Sequence, residues 1–222
     1  IQIKPEHADA HNNLGSVFKE LGKIQEAKTC FEKSIQINPE AADIHYNLGV
    51  TLGSLGKHME AIACYKKAIL KNPEHTVSLI NLSELLKTVE LKMTNGTNNN
   101  HLKDLFLMLF RRNDFRHRDI FFKTITLLKS EKNFHKILEE IDLDSISFKN
   151  EIIKNFLKEE LFLLMLQKTL IADSFLEKIL TKIRSDALFL FMDSNKNIFE
   201  ENIKFITSLA EQCFLNEYVY AQ

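Results

Sequence analysis

The sequence predicts an all-α protein in which repeated helix pairs are followed by a second, all-helical domain. A motif recurs at a fixed interval, and apolar residues recur at helical spacing throughout the chain. The second half also lacks helix breakers, since no Gly follows Gly96 and no Pro follows Pro73. Phe concentrates there instead, with 15 of the 17 beyond residue 95. Long segments with this composition are typical of helices.

The repeat is visible at positions that recur in register through the first 90 residues. Pro5, Pro39 and Pro73 are each 34 residues apart. The same interval relates the other shared positions, which are Asn13, Asn47 and Asn81, Leu14, Leu48 and Leu82, Gly22 and Gly56, Ala27 and Ala61, and Phe31 and Tyr65. A period of 20–50 residues indicates a stack of supersecondary units. We predict two full units and the start of a third within residues 1–94.

Each unit is predicted to be a pair of helices. Residues 8–21 and 24–37 both carry apolar residues along one helical face. Gly22 lies between them and suits a helix C-cap, because a left-handed backbone costs Gly little. The second helix ends before the Pro, since the residue preceding Pro is disfavoured in a helix. Small residues at Gly15 and Ala27 are expected to let the two helices approach closely.

The repeat resembles the tetratricopeptide repeat (TPR) family. The resemblance is carried by two segments, NNLGSVFKELGKIQEAKTCFEKSIQINP and YNLGVTLGSLGKHMEAIACYKKAILKNP, at residues 12–39 and 46–73. It implies a right-handed solenoid of helix pairs with a concave groove that binds proteins or peptides. We therefore expect a non-catalytic scaffold without a cofactor. The three scattered cysteines form no disulfide framework, which favours the cytoplasm.

The first helix of each pair is expected to line the groove. Asn13, Asn47 and Asn81 would form a row there, and a side-chain amide can both donate to and accept from an extended peptide backbone. A similar asparagine ladder lines the repeats of the O-linked N-acetylglucosamine transferase. The alternative is that each Asn satisfies backbone groups between neighbouring helices. The other groove candidates are Asn12, Ser16, Lys19, Tyr46, Val50, Ile80 and Glu84.

The repeat pattern stops after the first helix of the third unit, where Glu90 replaces the expected Gly. The polar segment that follows predicts an Asn-rich loop at residues 95–101. Residues 102–222 are predicted to form an α-helical capping domain, because the apolar end of a repeat stack must be covered. Its helices are expected at residues 102–112, 118–128, 151–171, 174–192 and 198–218. Ser174 and Glu177 form a candidate capping box.

The second domain is also similar to the helical region between TPRs and a methyltransferase domain in bacterial multidomain proteins. The similar segments are LFRRNDFRHRDIF, LKEELFLLMLQKTLIADSFLEKILTKIR and LAEQCFLNEYVYAQ. The chain would then present a substrate or partner to a catalytic domain outside it. The alternative is that it belongs to an S-adenosylmethionine-dependent methyltransferase or other transferase. The absence of a Gly loop beyond Gly96 counts against such a site in this chain.

A cluster of arginines suggests a different alternative, binding of an anion or nucleic acid. Arg111, Arg112, Arg116 and Arg118 are four of the five arginines in the chain. The competing interpretation is that they pair with Asp114 and Asp119. A formal net charge of −1 argues against nucleic acids and membrane surfaces as general partners.

The remaining expectations concern metals, membranes and the ends of the chain. His and Cys spacing predicts no metal site, and no apolar stretch reaches membrane-spanning length. The opening IQIKPEHADA matches IQINPEAADI at residues 35–44. This match predicts another repeat upstream. It also predicts an unfilled apolar repeat face at the N-terminal end, through which the fragment self-associates.

Overall fold

The computed structural model describes residues 7–90, 99–131, 150–169, 173–192, 204–208 and 210. Within these ranges the backbone forms helices and turns but no strand. The chain divides into two compact units, Ile1–Glu90 and Leu91–Gln222. The predicted all-α helical-repeat fold is confirmed.

The first unit contains five helices that alternate between first and second members of a pair. They are α1 (Ala8–Glu20), α2 (Ile24–Ile37), α3 (Ala42–Ser54), α4 (His58–Lys71) and α5 (Thr76–Thr88). Each packs against the next along the chain, and α1 also contacts α3. The helix limits predicted for the first pair agree with the structure to within one residue.

The turn inside each of the first two pairs is made by a glycine in the left-handed conformation. Gly22 has a φ of 73° and Gly56 a φ of 72°. In the first turn the amide of Gly22 donates to the carbonyl oxygen of Lys19, and the amide of Lys23 donates to that of Phe18. This is the Schellman arrangement, which satisfies the last carbonyls of a helix. The predicted glycine caps are confirmed.

The two helices of a pair meet where a glycine faces an aromatic ring. A Cβ atom added to Gly15 would lie 2.8 Å from Cε1 of Phe31, and one added to Gly49 would lie 2.7 Å from Cε1 of Tyr65. Both rings are buried. The close approach predicted from the small residues is therefore present, and it is the aromatic side chain that occupies the space.

The second unit is built from helices of unequal length around aromatic side chains. Its described elements are α6 (Asn100–Phe110), a 3-10 turn (His117–Ile120), α7 (Phe121–Ser130), α8 (Glu151–Leu157), α9 (Glu160–Lys168) and α10 (Ser174–Met192), and residues 204–208 are also helical. Helix α6 packs against α7 and α9, and α9 packs against α8. The core contains Phe106, Phe110 and Phe162, which are fully buried. The role of α6 as a cap of the repeat stack stays a prediction.

The prediction of one helix over residues 151–171 is wrong, because the chain breaks between α8 and α9. The buried side chains are Ile153, Phe156, Leu157, Leu161, Phe162, Met165 and Leu166. On one unbroken helix with 3.6 residues per turn they would spread over about 280° of the circumference. After the break, each shorter helix keeps its buried side chains within about 140°. The rings of Phe156 and Phe162 then pack across the break, with centroids 4.3 Å apart.

Two other local predictions need correction. Helix α10 is capped by Asp173, whose Oδ1 accepts from the amide of Leu176 at 3.0 Å, and not by Ser174. Glu177 instead accepts a hydrogen bond from Arg184. The predicted loop at 95–101 also ends early, since Asn100 begins α6. Most of the helix predicted at 198–218 lies outside the described residues.

Candidate peptide-binding surface

Neighbouring first helices are joined by side-chain hydrogen bonds that repeat along the first unit. Nδ2 of Asn47 donates to Oδ1 of Asn12 at 3.0 Å, which joins α3 to α1. Nδ2 of Asn81 lies 3.5 Å from the hydroxyl oxygen of Tyr46, which joins α5 to α3. Both pairs are 35 residues apart. Each Asn therefore contacts the residue just before the equivalent Asn of the preceding unit: Asn47 contacts Asn12, which precedes Asn13, and Asn81 contacts Tyr46, which precedes Asn47.

The three asparagines of the predicted row differ in their exposure and in their hydrogen-bond partners. Asn47 and Asn81 are half-buried, whereas Asn13, the first of the series, is exposed. The observed partners are side chains rather than the backbone groups of the alternative interpretation. Within the described residues, Oδ1 of Asn47 accepts no hydrogen bond. The amides of Asn47 and Asn81 are thus held in place, and Oδ1 of Asn47 keeps capacity for a further partner. The role of these amides in binding stays a prediction.

A polar and aromatic cluster surrounds Tyr46 where the second and third units meet. Its ring centroid lies 6.1 Å from that of Tyr65 and 5.4 Å from that of His75. Nε2 of His75 is 2.8 Å from Oδ1 of Asp43. Burial raises the pKa of Tyr65, and a hydrogen bond with Asn81 opposes that rise. The cluster fixes Tyr46 in position on the first-helix surface.

The other predicted groove residues make the surface chemically different at the first and third units. Ser16 is half-buried and its hydroxyl donates to the carbonyl oxygen of Asn12, while Lys19 and Val50 are also half-buried. At the third unit Ile80 is 59% exposed, and Glu84 is paired with Lys87 at 2.8 Å. The surface is polar at the first unit and carries exposed apolar side chains at the third.

Sequence reasoning missed three residues of this surface. Asp43 and His75 could not be identified from the sequence, because they form a pair only once α3 and α5 have packed. The repeat position of His75 also differs between units, since Ala41 occupies it in the unit before. Val77 is 46% exposed on α5. The sequence did contain a signal for Val77, because the same repeat position is Asp9 in the first unit and Asp43 in the second.

The arginine cluster of the second unit is partly neutralised by neighbouring acids. Arg112 pairs with Asp114, as predicted, and its hydrogen bond lowers the pKa of that carboxyl. Arg111 pairs with Glu160 at 2.7 Å. Among the described residues, the exposed side chains of Arg116 and Arg118 have no hydrogen bond or ion pair. The anion-binding alternative therefore rests on these two guanidinium groups and stays a prediction.

The described residues contain no metal cluster and no membrane span. No group of three or more His, Cys, Asp or Glu side chains in these ranges is arranged to hold a metal ion. Likewise, no helix there is both long enough and apolar enough to cross a bilayer.

The thiol of Cys64 is held in its protonated form. Burial raises the pKa of Cys64 to about 11, which suppresses the reactive thiolate.

The paired helices, the glycine turns and the shared surface of the first helices define a helical-repeat binding module. A family model described as tetratricopeptide repeat matches residues 42–75, and a second described as TPR repeat matches residues 15–56. The two matches identify tetratricopeptide repeats within residues 15–75 of the first unit. Such repeats are generally non-catalytic scaffolds for protein–protein interaction. A comparison with curated proteins found no match to this chain.

Proposed function

We propose that the surface formed by α1, α3 and α5 binds an extended segment of a partner protein. The observation that carries this proposal is the repeated hydrogen bond between neighbouring first helices, from Asn47 to Asn12 and from Asn81 to Tyr46. These bonds orient the amides before a ligand arrives. Binding then loses less side-chain entropy than it would with freely rotating amides.

The chemistry of the surface favours recognition of the peptide backbone over most of its length. A peptide N–H can donate to Oδ1 of Asn47, because this oxygen accepts no hydrogen bond from the described residues. Backbone contacts of this kind read few side chains. Val77 and Ile80 add an apolar contact at the third unit, since both are about half exposed or more. The proposed ligand is an extended segment with an apolar side chain near one end.

A random 15-residue peptide library displayed on phage provides a probe for this surface. Peptides selected on the wild-type chain are expected to lose affinity in the triple variant Asn13→Ala, Asn47→Ala, Asn81→Ala. Each lost hydrogen bond is worth about 1 kcal/mol, so the dissociation constant should rise by about tenfold or more. Fluorescence anisotropy measures this change.

The matched control separates binding from structure. Asn12→Ala removes the same hydrogen bond between α1 and α3 but keeps the amide of Asn47. It should lower the melting temperature as much as Asn47→Ala does, with a smaller loss of peptide affinity. If the selected peptides bind the triple variant as tightly as the wild type, the amides are structural and the proposal is wrong.

We also propose that the captured segment is presented to a catalytic domain outside residues 1–222. The similarity of the second unit to the region before methyltransferase domains supports this finer proposal. The chain itself should then give no heat of binding with S-adenosylmethionine or ATP in a calorimetric titration. A specific site of micromolar affinity would contradict it and would favour the transferase alternative.

A further inference from the structure

A surface of the second unit combines an exposed aromatic ring with two unpaired arginines at the start of α7. Phe122 is 65% exposed. Arg116 and Arg118 are also exposed, and in the part of the chain that the structure describes neither guanidinium group forms a hydrogen bond or ion pair. These three residues are called the arginine–phenylalanine patch. The patch shares no residue with the surface of α1, α3 and α5.

The packing of this segment explains why both guanidinium groups reach solvent. The ring of Phe115 is buried, and the ring of His117 stacks on that of Phe110 with centroids 5.1 Å apart. The rings of Phe115 and His117 also meet edge to face, with centroids 5.9 Å apart. Residues 115 and 117 therefore anchor the backbone to the core, while Arg116 and Arg118 remain outside it.

The helical backbone places Arg118 and Phe122 on the same side of the chain. The 3-10 turn ends at Ile120 and α7 begins at Phe121, so the backbone stays helical from residue 117 to residue 130. Residues four apart on such a stretch lie one turn apart. The ring of Phe122 also packs edge-on against the buried ring of Phe121, with centroids 5.2 Å apart. The patch is therefore supported from below by the core.

The exposure of Phe122 is unusual for this chain. Every other Phe or Tyr side chain that the structure describes is buried or half-buried. A single exposed apolar residue needs no explanation by itself. Arg and aromatic residues together, however, are the types that are enriched where proteins bind one another. The combination thus indicates a contact surface rather than a scattered surface residue.

The charge of the segment indicates what this surface binds. Residues 111–123 contain four Arg and one Lys against two Asp. Asp114 is already paired with Arg112. Asp119 is half-buried, and it pairs with neither arginine of the patch. The positive charge of the patch is therefore not neutralised by these acids, and a ligand with carboxylate groups would complement it.

We propose that the arginine–phenylalanine patch binds an acidic segment of another protein that carries a large apolar side chain among its carboxylates. The carboxylates accept hydrogen bonds from the guanidinium groups of Arg116 and Arg118. The apolar side chain covers the ring of Phe122. A protein segment is favoured over nucleic acid, because single strands are bound by a basic groove with successive aromatic rings. The proposal does not depend on the function proposed for the first unit.

The probe is a fluorescein-labelled peptide of sequence GEEFDEG, titrated with the full chain and followed by fluorescence anisotropy. It should bind saturably, and GQQFNQG and GEEADEG should bind more weakly. The double variant Arg116→Gln, Arg118→Gln should raise the dissociation constant by about fivefold or more. Phe122→Ala should raise it by a similar factor, about fivefold, through lost apolar contact. Binding should also weaken as NaCl is raised from about 50 to 300 mM, because salt screens exposed charges.

Two control variants separate the patch from total charge and from the amide surface. Lys67→Gln, Lys178→Gln removes two positive charges from exposed side chains elsewhere and should leave the affinity within about twofold. Asn47→Ala, Asn81→Ala should also leave it unchanged. Circular dichroism confirms that every variant is folded.

Four results would overturn the proposal. GEEFDEG could bind no more tightly than GQQFNQG. Its affinity could be indifferent to the double Arg variant, or fall in the Asn variant alone, which would place the peptide on the amide surface. Labelled dT15 could bind more tightly than the peptide and be lost in the double Arg variant, which would favour nucleic acid.

The last of these results concerns the chain itself, since residues 138–144 read LEEIDLD and are also acidic and apolar. The variant Glu139→Gln, Glu140→Gln, Asp142→Asn removes most of their charge. If GEEFDEG binds this variant but not the wild type, the chain's own segment is the occupant and the proposal is wrong. Equal affinity for both is expected.

Discussion

Replacing Gly49 by Ala tests whether the glycine–aromatic contact sets the spacing of a helix pair. The new Cβ atom would lie 2.7 Å from Cε1 and 2.9 Å from Cδ1 of Tyr65. The ring is 5% exposed, so it has little room to move. Since the methyl group is fixed to the backbone of α3, the two helices must separate or the ring must leave its rotamer.

The expected magnitude combines two opposing terms. Overpacking of a core costs about 1–3 kcal/mol, and contacts this short place Gly49 in the upper part of that range. Ala is favoured over Gly inside a helix by about 1 kcal/mol. The net effect should be a loss of about 1–2 kcal/mol, which lowers the melting temperature by roughly 5–10 °C for a domain of this size.

Gly53 provides the matched control in the same helix. A Cβ atom added there meets nothing within 4 Å, so Gly53→Ala should raise the free energy of unfolding. Urea denaturation followed by circular dichroism and tyrosine fluorescence measures both variants. In a Tyr65→Leu background, the penalty of Gly49→Ala should largely disappear. The reasoning is refuted if Gly49→Ala is as stable as Gly53→Ala.

Three further predictions concern a turn, a thiol and a histidine. Gly56→Ala should lower the free energy of unfolding in urea by about 1 kcal/mol, because its φ of 72° is strained for Ala. Iodoacetamide should modify Cys64 about a hundredfold more slowly at pH 8 than an unperturbed thiol of pKa 9.0, read by peptide mass spectrometry. Burial lowers the pKa of His117 from 6.5, so the folded chain binds its proton less readily than the unfolded chain. The free energy of unfolding should therefore fall as the pH drops below 6.5, and His117→Gln should reduce this dependence in urea denaturation.

The repeat unit could be predicted because its local signals and its packing agree. Gly22 and Gly56 mark left-handed turns that few other residues adopt, and the interval of Gly15 to Phe31 recurs as Gly49 to Tyr65. A periodic sequence repeats each signal, so a helix pair identified once is identified again in register.

The second unit was less predictable because its helices end without Gly or Pro. The break between α8 and α9 follows from how many buried side chains one helix face can hold, which depends on the surrounding core rather than on a local signal. At the candidate surface, the phase of Asn47 and Asn81 was visible in the sequence. The hydrogen-bond partners of these two residues could not be predicted, because each amide donates to a different repeat position in the preceding unit, Asn12 or Tyr46.

The sequential packing of the first unit has a consequence for how its helices open. Helices α2, α3 and α4 each pack against a helix on both sides along the chain. In a stack held by nearest-neighbour contacts, one region can open while the other helices remain folded. The amides buried between α3 and α4 should therefore exchange with solvent only through a larger opening, one that separates α3 or α4 from both of its neighbours.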